Sequence, residues 1–246
     1  MNCRRSRKQS RRTAQRLKWV LFLPALVAPF ITSMERAWSQ EPVPTPRATT
    51  TTDSAQRPTS TPYTGDLSIF DTPDRDKKLQ IEHVMDLLNI RAGSTVADIG
   101  AGSGWFTVRA AKRVGDPGTV YAVDINPEAV KYINDRIKKN GIQNVHTILS
   151  APDDPKLPAN SVDAVLILKT YHEIADPVRL LESLRKSLRP GARVGIIDRN
   201  GNGQDHGIEK TVVEREAARA GYHITGDYDF VKADGEDYFL ILQANP

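Results

Sequence analysis

Cysteine is all but absent from this chain. Its single cysteine, Cys3, lies at the extreme N-terminus, so disulfides, thiol nucleophiles and cysteine-bound metals are excluded from everything after it. Long hydrophobic runs are also missing. The most apolar stretch, Trp19 to Ile31, is interrupted by Pro24 and Pro29 and falls short of the roughly 20 residues a membrane-spanning helix needs. An excess of basic over acidic charge is missing outside the N-terminal tip. The chain as a whole carries +4, but residues 1–18 hold eight Lys/Arg and no acid, leaving 26 basic against 30 acidic residues in the remainder. A mildly acidic folded part argues against non-specific nucleic-acid binding, which depends on clustered cations. No G-x-x-x-x-G-K-[ST] phosphate loop occurs, nor an NPPY-type motif. No grouping of metal-ligating residues is apparent, so no metal is expected.

What is present begins with an Arg-rich tip, a short apolar segment and Ala37-Trp38-Ser39, together the layout of a secretory signal peptide. Ser10-Arg11-Arg12 hints at a twin-arginine signal. Residues 1–39 are therefore expected to be a signal peptide or an uncleaved N-terminal anchor, placing the domain on the periplasmic side of the cell envelope and allowing membrane association. Translation starting at Met34 would instead leave the protein cytoplasmic. Residues 40–66 are rich in Pro, Thr and Ser with almost no aliphatics, a composition that cannot bury enough apolar surface to order itself. They read as a disordered linker, and residues 67–246 as one domain of ordinary size.

The chemistry concentrates in Thr95-Val-Ala-Asp-Ile-Gly-Ala-Gly-Ser-Gly104, followed by Trp105 and Phe106. An apolar strand runs into three spaced glycines and then into an amphipathic run, which spells strand, tight turn, helix. Glycine lets the backbone take positive φ and a ligand approach without a Cβ in the way, while the helix aims free N–H groups at the turn. A dinucleotide fingerprint would need a third glycine where Trp105 stands. A carboxylate at Asp98 would repel a pyrophosphate but suits a ligand carrying ammonium or sulfonium charge.

VADIGAGSG resembles the first motif of class I S-adenosylmethionine (SAM)-dependent methyltransferases, and the likeness extends over about residues 70–244. The resemblance implies a doubly wound α/β fold: a mostly parallel seven-stranded sheet with a C-terminal antiparallel hairpin and helices on both faces. It implies SAM as cofactor, held by Asp98, Gly100, Ala101, Gly102, Ser103 and Gly104 of the loop, by Asp124 and Ile125 after the next strand, and by Asp153 and Lys169. In such enzymes an acid usually follows the third strand. Here Ala151 holds that position and Asp153 is the nearest substitute.

The residues themselves support much of this. Residues 74–90 carry Ile81, Val84, Met85 and Leu88 at helical spacing, predicting one amphipathic helix. Asp124 ends a strand 26 residues after Asp98, where a carboxylate can accept from both ribose hydroxyls. Lys169-Thr-Tyr-His-Glu173 follows a central strand, at the edge where open α/β sheets bind ligands. His172 and Tyr171 are accordingly the candidate catalytic residues, with Glu173 beside them. Asp198-Arg199 leads into a glycine-rich loop, 200–207, placed to lie over a substrate. With no nucleic-acid or protein-recognition module visible, a small-molecule acceptor is favoured, and oligomeric state stays open. Two other readings also stay open: a nicotinamide-dependent oxidoreductase, and a non-catalytic envelope protein that keeps the fold.

Overall fold

A computed structural model describes residues 57–232 and 234–246. The segments read as signal peptide or anchor, and most of the linker, lie outside the described residues. Among the described residues no helix is long and apolar enough to cross a membrane.

Seven strands form one sheet in the order β3-β2-β1-β4-β5-β7-β6. They are β1 (Thr95–Ile99), β2 (Thr119–Asp124), β3 (Val145–Leu149), β4 (Val162–Leu168), β5 (Leu188–Arg199), β6 (Tyr222–Tyr228) and β7 (Asp237–Ala244). The first five are mutually parallel, and β7 enters antiparallel between β5 and β6. Strand order reverses at β1, which lies between β2 and β4, so the carboxyl ends of these strands border the switch-point crevice. The expected architecture is what the chain adopts.

Alternation along the buried strands divides the core between the two faces of the sheet. Val96 and Val120 pack with α2 (Ile81–Leu87), α3 (Trp105–Val114) and Ile133 of α4 (Pro127–Lys139). Ala97, Ile99 and Val165 pack with α5 (Pro177–Arg185) and α6 (Lys210–Arg219) on the other face. Leu181, Leu184 and Val213 are essentially inaccessible, and each such aliphatic side chain contributes about 1.5–3 kcal/mol of burial.

Helix starts follow the cap chemistry in the sequence. The Asn126 side chain accepts from the Glu128 N–H at 2.9 Å with Pro127 at the first helical position, and Asp176 does the same for α5 ahead of Pro177. The single helix expected over 74–90 is broken. Gln80 takes φ 47° and separates α1 (Arg75–Leu79) from α2, while its side-chain amide donates to the Phe230 carbonyl at 3.0 Å. A long-range hydrogen bond thus competes with helix continuity, which periodicity alone does not register. The fifth strand begins at Leu188, ahead of Pro190 and Gly191, because a register shift opposite Val162 and Ala164 admits Leu188 to the sheet.

Residues 57–66, read as part of the linker, pack on the domain. The Arg57 guanidinium pairs with Glu216 at 3.0 Å and donates to the Tyr171 carbonyl at 2.6 Å. Ser60 is buried and its N–H donates to the His172 carbonyl at 3.3 Å. Composition marks this segment as unable to form a core of its own. Arg57 and Ser60 nonetheless find polar partners on the domain the segment crosses.

Candidate active site

The glycine turn sits at the carboxyl end of β1, tied to β2 by Gly100 and Ala101 N–H groups that donate to the Val123 carbonyl at 2.8 and 3.1 Å. Gly100 has φ 71°, and a Cβ there would overlap the Thr170 side chain. Gly104 has φ 72° and opens α3, its missing Cβ making room for Ile133. These two positions require glycine for separate reasons, close approach of the β4 loop in one and of α4 in the other.

Asp98 points to the α3 face of β1 and is buried. Thr107, one turn into α3, donates its hydroxyl to Asp98 Oδ2 at 2.6 Å. Burial raises the Asp98 carboxyl to about 7, opposed by the Thr107 hydrogen bond and reinforced by the nearby charge of Asp124. A carboxyl raised in this way ionises more readily when a positive charge comes close.

Asp124, at the end of β2, accepts from the Gly102 N–H at 2.9 Å and the Asn126 N–H at 2.9 Å, one through each oxygen. A carboxylate has about four lone-pair sites, so capacity remains for ribose hydroxyls. Its pKa is also raised, chiefly by burial, with the backbone donors opposing. Next to it Ile125 is 47 % exposed, and Leu149, which pairs in register with Asp124, is 46 % exposed. Two large apolar side chains left open at adjacent strand ends suit the flat face of a base. Leu149 was not singled out from the sequence, where it reads as an ordinary strand residue.

The loop after β4 brings up the second half of the site. His172 is nearly buried in a short 3-10 turn (Tyr171–Glu173). Its Nδ1 lies 2.9 and 3.0 Å from the two oxygens of Asp198, and its backbone N–H donates to Asp198 Oδ2 at 3.1 Å. A carboxylate only accepts, so Nδ1 carries the proton and Nε2 is the ring nitrogen left to meet a further partner. Asp198 is fully buried at the end of β5, and no local pattern in the sequence announces its pairing with a residue 26 positions away. Glu173 stands beside His172 with Oε1 3.9 Å from Nε2. Its carboxyl is raised to about 7, mainly by burial, with His172 lowering it and Asp124 and Asp198 raising it.

Several of the expected site residues are engaged by protein partners. Tyr171 is inaccessible; its hydroxyl donates to Glu216 Oε2 at 2.9 Å and its ring lies under the Arg57 guanidinium. It belongs to the core against α6, and burial holds its pKa well above the usual value. Ser103 is buried with its hydroxyl donated to Asp71 at 3.1 Å, where Arg136 also binds, so it anchors the segment before α1. Lys169 spends its ammonium on Asp237, 2.5 Å away at the start of β7. Asp153 has Arg179 of α5 as its one recorded polar partner among the described residues, at 3.7 Å. The absence of any metal-ligand grouping is corrected: one donor atom each from His172, Glu173 and His206 lie within 4.8 Å of one another. His206 lies 33 positions beyond the adjacent His172-Glu173 pair, and only the fold brings it to them.

The family described as "Methyltransferase domain" matches residues 90–227, more than half of the chain and the span that carries both acids, the glycine turn and the His172 loop. The chain belongs to the class I SAM-dependent methyltransferases. Among solved structures, a SAM-dependent methyltransferase from Aquifex aeolicus aligns with TM-score 0.66 and 26% identity, covering 73% of this chain and 98% of that one. The [4+2]-cyclase SpnF, at 14% identity and TM-score 0.58, shares the fold alone. Curated relatives include the ubiquinone/menaquinone biosynthesis C-methyltransferases UbiE of Hydrogenovibrio crunogenus, 31% identical over 49% of this chain and 48% of that protein, and of Vibrio campbellii, 30% identical over 46% and 44%. The methyltransferase domain of this chain thus spans about half the length of the curated relatives it matches.

Proposed function

We propose that this protein transfers a methyl group from SAM to a small-molecule acceptor docked beside His172. One observation carries the reading: the Asp98 carboxyl, buried yet set to ionise near neutrality, shares the glycine turn with Asp124, whose lone pairs are only partly used. The residues present fit the cofactor. Asp98 offers charge to an ammonium, Asp124 offers acceptors to a ribose, and Ile125 and Leu149 offer apolar surface to adenine. SAM, when bound, supplies an electrophilic methyl on sulfonium, which a nucleophile displaces in line, so the protein mainly aligns and desolvates.

The chain's own residues supply the rest. His172 presents its Nε2 lone pair at the carboxyl edge of the sheet, and Asp198 fixes the tautomer and ring orientation. Where the acceptor must lose a proton, His172 takes it and Asp198 stabilises the resulting imidazolium. In this reading His172 is the catalytic residue, and the inaccessible Tyr171 packs behind it. The nicotinamide alternative loses ground because Trp105, in the place of the third glycine, is buried in the core. The half-length match to the curated relatives supports the cofactor side of the reading and leaves the acceptor of this chain its own question.

Calorimetry with the full chain tests the proposal: S-adenosylhomocysteine binds with one-to-one stoichiometry, and equal or tighter binding of NAD would overturn it. We also read residues 1–39 as an export or anchoring segment. Fractionation of cells expressing a C-terminally tagged protein checks this, and recovery solely in the cytosol would refute it.

A further inference from the structure

We propose that His172, Glu173 and His206 form a binding site for a divalent zinc-class cation at the acceptor edge of the sheet. The donor atoms come from two separate segments, the 3-10 turn after β4 and the loop after β5, and lie within 4.8 Å of one another. Two imidazoles and one carboxylate form the donor set of catalytic zinc sites that keep a fourth position open. Bonds to such an ion are about 2.0–2.2 Å, so small side-chain rotations close the three donors around a common centre.

Three further features mark the cluster as built. The first is the support behind His172. Its Nδ1–H is held by both oxygens of Asp198, at 2.9 and 3.0 Å, which directs the Nε2 lone pair towards Glu173. Metal-ligating histidines carry this carboxylate behind the ring. The second is the presentation of His206. It sits at φ 58°, an uncommon conformation for a residue with a side chain, in a loop closed by the Gly203 N–H to Gly207 carbonyl bond at 2.8 Å and the Asn202 N–H to Asp205 carboxylate bond at 3.0 Å. Its ring stands perpendicular to that of His172 with centroids 5.8 Å apart. The third is Ser60. Its hydroxyl accepts from the His206 N–H at 3.0 Å and donates to the Gly203 carbonyl at 3.0 Å, while its own N–H donates to the His172 carbonyl at 3.3 Å. One buried serine therefore clasps both donor-bearing segments together. Glu173, for its part, places its Oε1 3.9 Å from His172 Nε2.

A cation there occupies the His172 lone pair, so the group meeting the acceptor becomes the metal in place of the imidazole. The open position favours acceptors that present a hydroxyl or carboxylate oxygen. This last point rests on the methyl-transfer reading, whereas the metal site itself does not.

The test uses the full chain, stripped with chelator and titrated with Zn2+, and separately with Co2+ for its visible absorption. One equivalent of Zn2+ binds, and Co2+ gives a low-symmetry d–d spectrum that changes on adding acetohydroxamate, a bidentate oxygen ligand. His206→Ala and Glu173→Gln each weaken Zn2+ binding at least tenfold. Because His206 is exposed, its variant is expected to fold, and unchanged S-adenosylhomocysteine binding verifies that it has. Absence of stoichiometric binding, or binding that His206→Ala leaves intact, overturns the site. A Co2+ spectrum indifferent to acetohydroxamate overturns the open position. Loss of S-adenosylhomocysteine binding by the native chain, with Zn2+ still bound, would instead refute the methyl-transfer reading alone.

Discussion

Replacing Asp98 by asparagine should make the ligand-free protein more stable while damaging its ability to hold the cofactor. The Asp98 carboxyl is raised from 3.8 to about 7, with burial as the principal cause. Each unit corresponds to about 1.36 kcal/mol, so ionising this group inside the fold at pH 8 costs about 4 kcal/mol relative to the unfolded chain, an upper figure because the site relaxes. Its folded pKa lies above its unfolded one, so the native state binds more protons between about pH 4 and 7 and stability falls as pH rises through that window. Above pH 7 the full penalty is present. Asparagine is nearly isosteric, still accepts from the Thr107 hydroxyl, and carries no charge. Its amide N–H₂ pays a partial desolvation penalty of about 1–3 kcal/mol. The net expectation is a gain of about 2 kcal/mol at pH 8 that shrinks towards zero or reverses near pH 4. Urea denaturation of wild type and Asp98→Asn across pH 4–8 measures it. The same substitution should weaken S-adenosylhomocysteine binding by about 1.5–3 kcal/mol, the scale of a hydrogen bond to a charged group. Wild-type binding should also release a proton near pH 6.5, visible by calorimetry in buffers of different ionisation enthalpy. A variant less stable at pH 8, with unchanged ligand affinity, would refute the reasoning.

Other substitutions separate the roles of neighbouring residues. Asp124→Ala should weaken S-adenosylhomocysteine binding by about 1.5–3 kcal/mol, and calorimetry showing no loss would remove the ribose assignment. Gly100→Ala combines an overlap with Thr170 and φ 71°, so it should destabilise the fold by about 1–3 kcal/mol and abolish cofactor binding; a thermal melt at the wild-type midpoint would contradict it. Tyr171→Phe removes one buried hydrogen bond to Glu216 and should cost about 1–2 kcal/mol of stability with turnover preserved, whereas a collapse in turnover alone would restore Tyr171 to catalysis. Arg57→Ala strips the nearly buried pair with Glu216 and the cap on the Tyr171 carbonyl; denaturant midpoints should fall by an amount equivalent to about 3 kcal/mol, and no change would show that residues 57–66 rest on the domain without supporting it.

Much of the site was legible because it is local. Asp98, Gly100 and Gly104 lie within one strand and turn, and their types answer to backbone conformation and close packing at those same positions. Asp124 was legible because a strand end preceding an Asn-Pro helix start has only one place to go in a βαβ unit. Tyr171, Ser103 and Lys169 have partners that the sequence did not announce, for a common reason. Each sits where a cofactor contact or, for Tyr171, a catalytic role is expected, yet each has a polar partner from a distant element: Glu216 on α6, Asp71 before α1, and Asp237 on β7. A side chain takes the nearest group able to satisfy it, and distances of that kind are set by packing.

The sequence by itself determined the alternation of strands and helices, the glycine turn, and the two acids that border it. These follow from periodicity, cap residues and the few conformations open to neighbouring peptide units. Only the tertiary structure decided that Asp198 stands behind His172, that Ser60 joins the two loops, and that Glu173 and His206 face one another. Those pairings join residues separated by 26 to 146 positions, and the free energy that holds them comes from burial across the whole sheet, which no short stretch of chain contains.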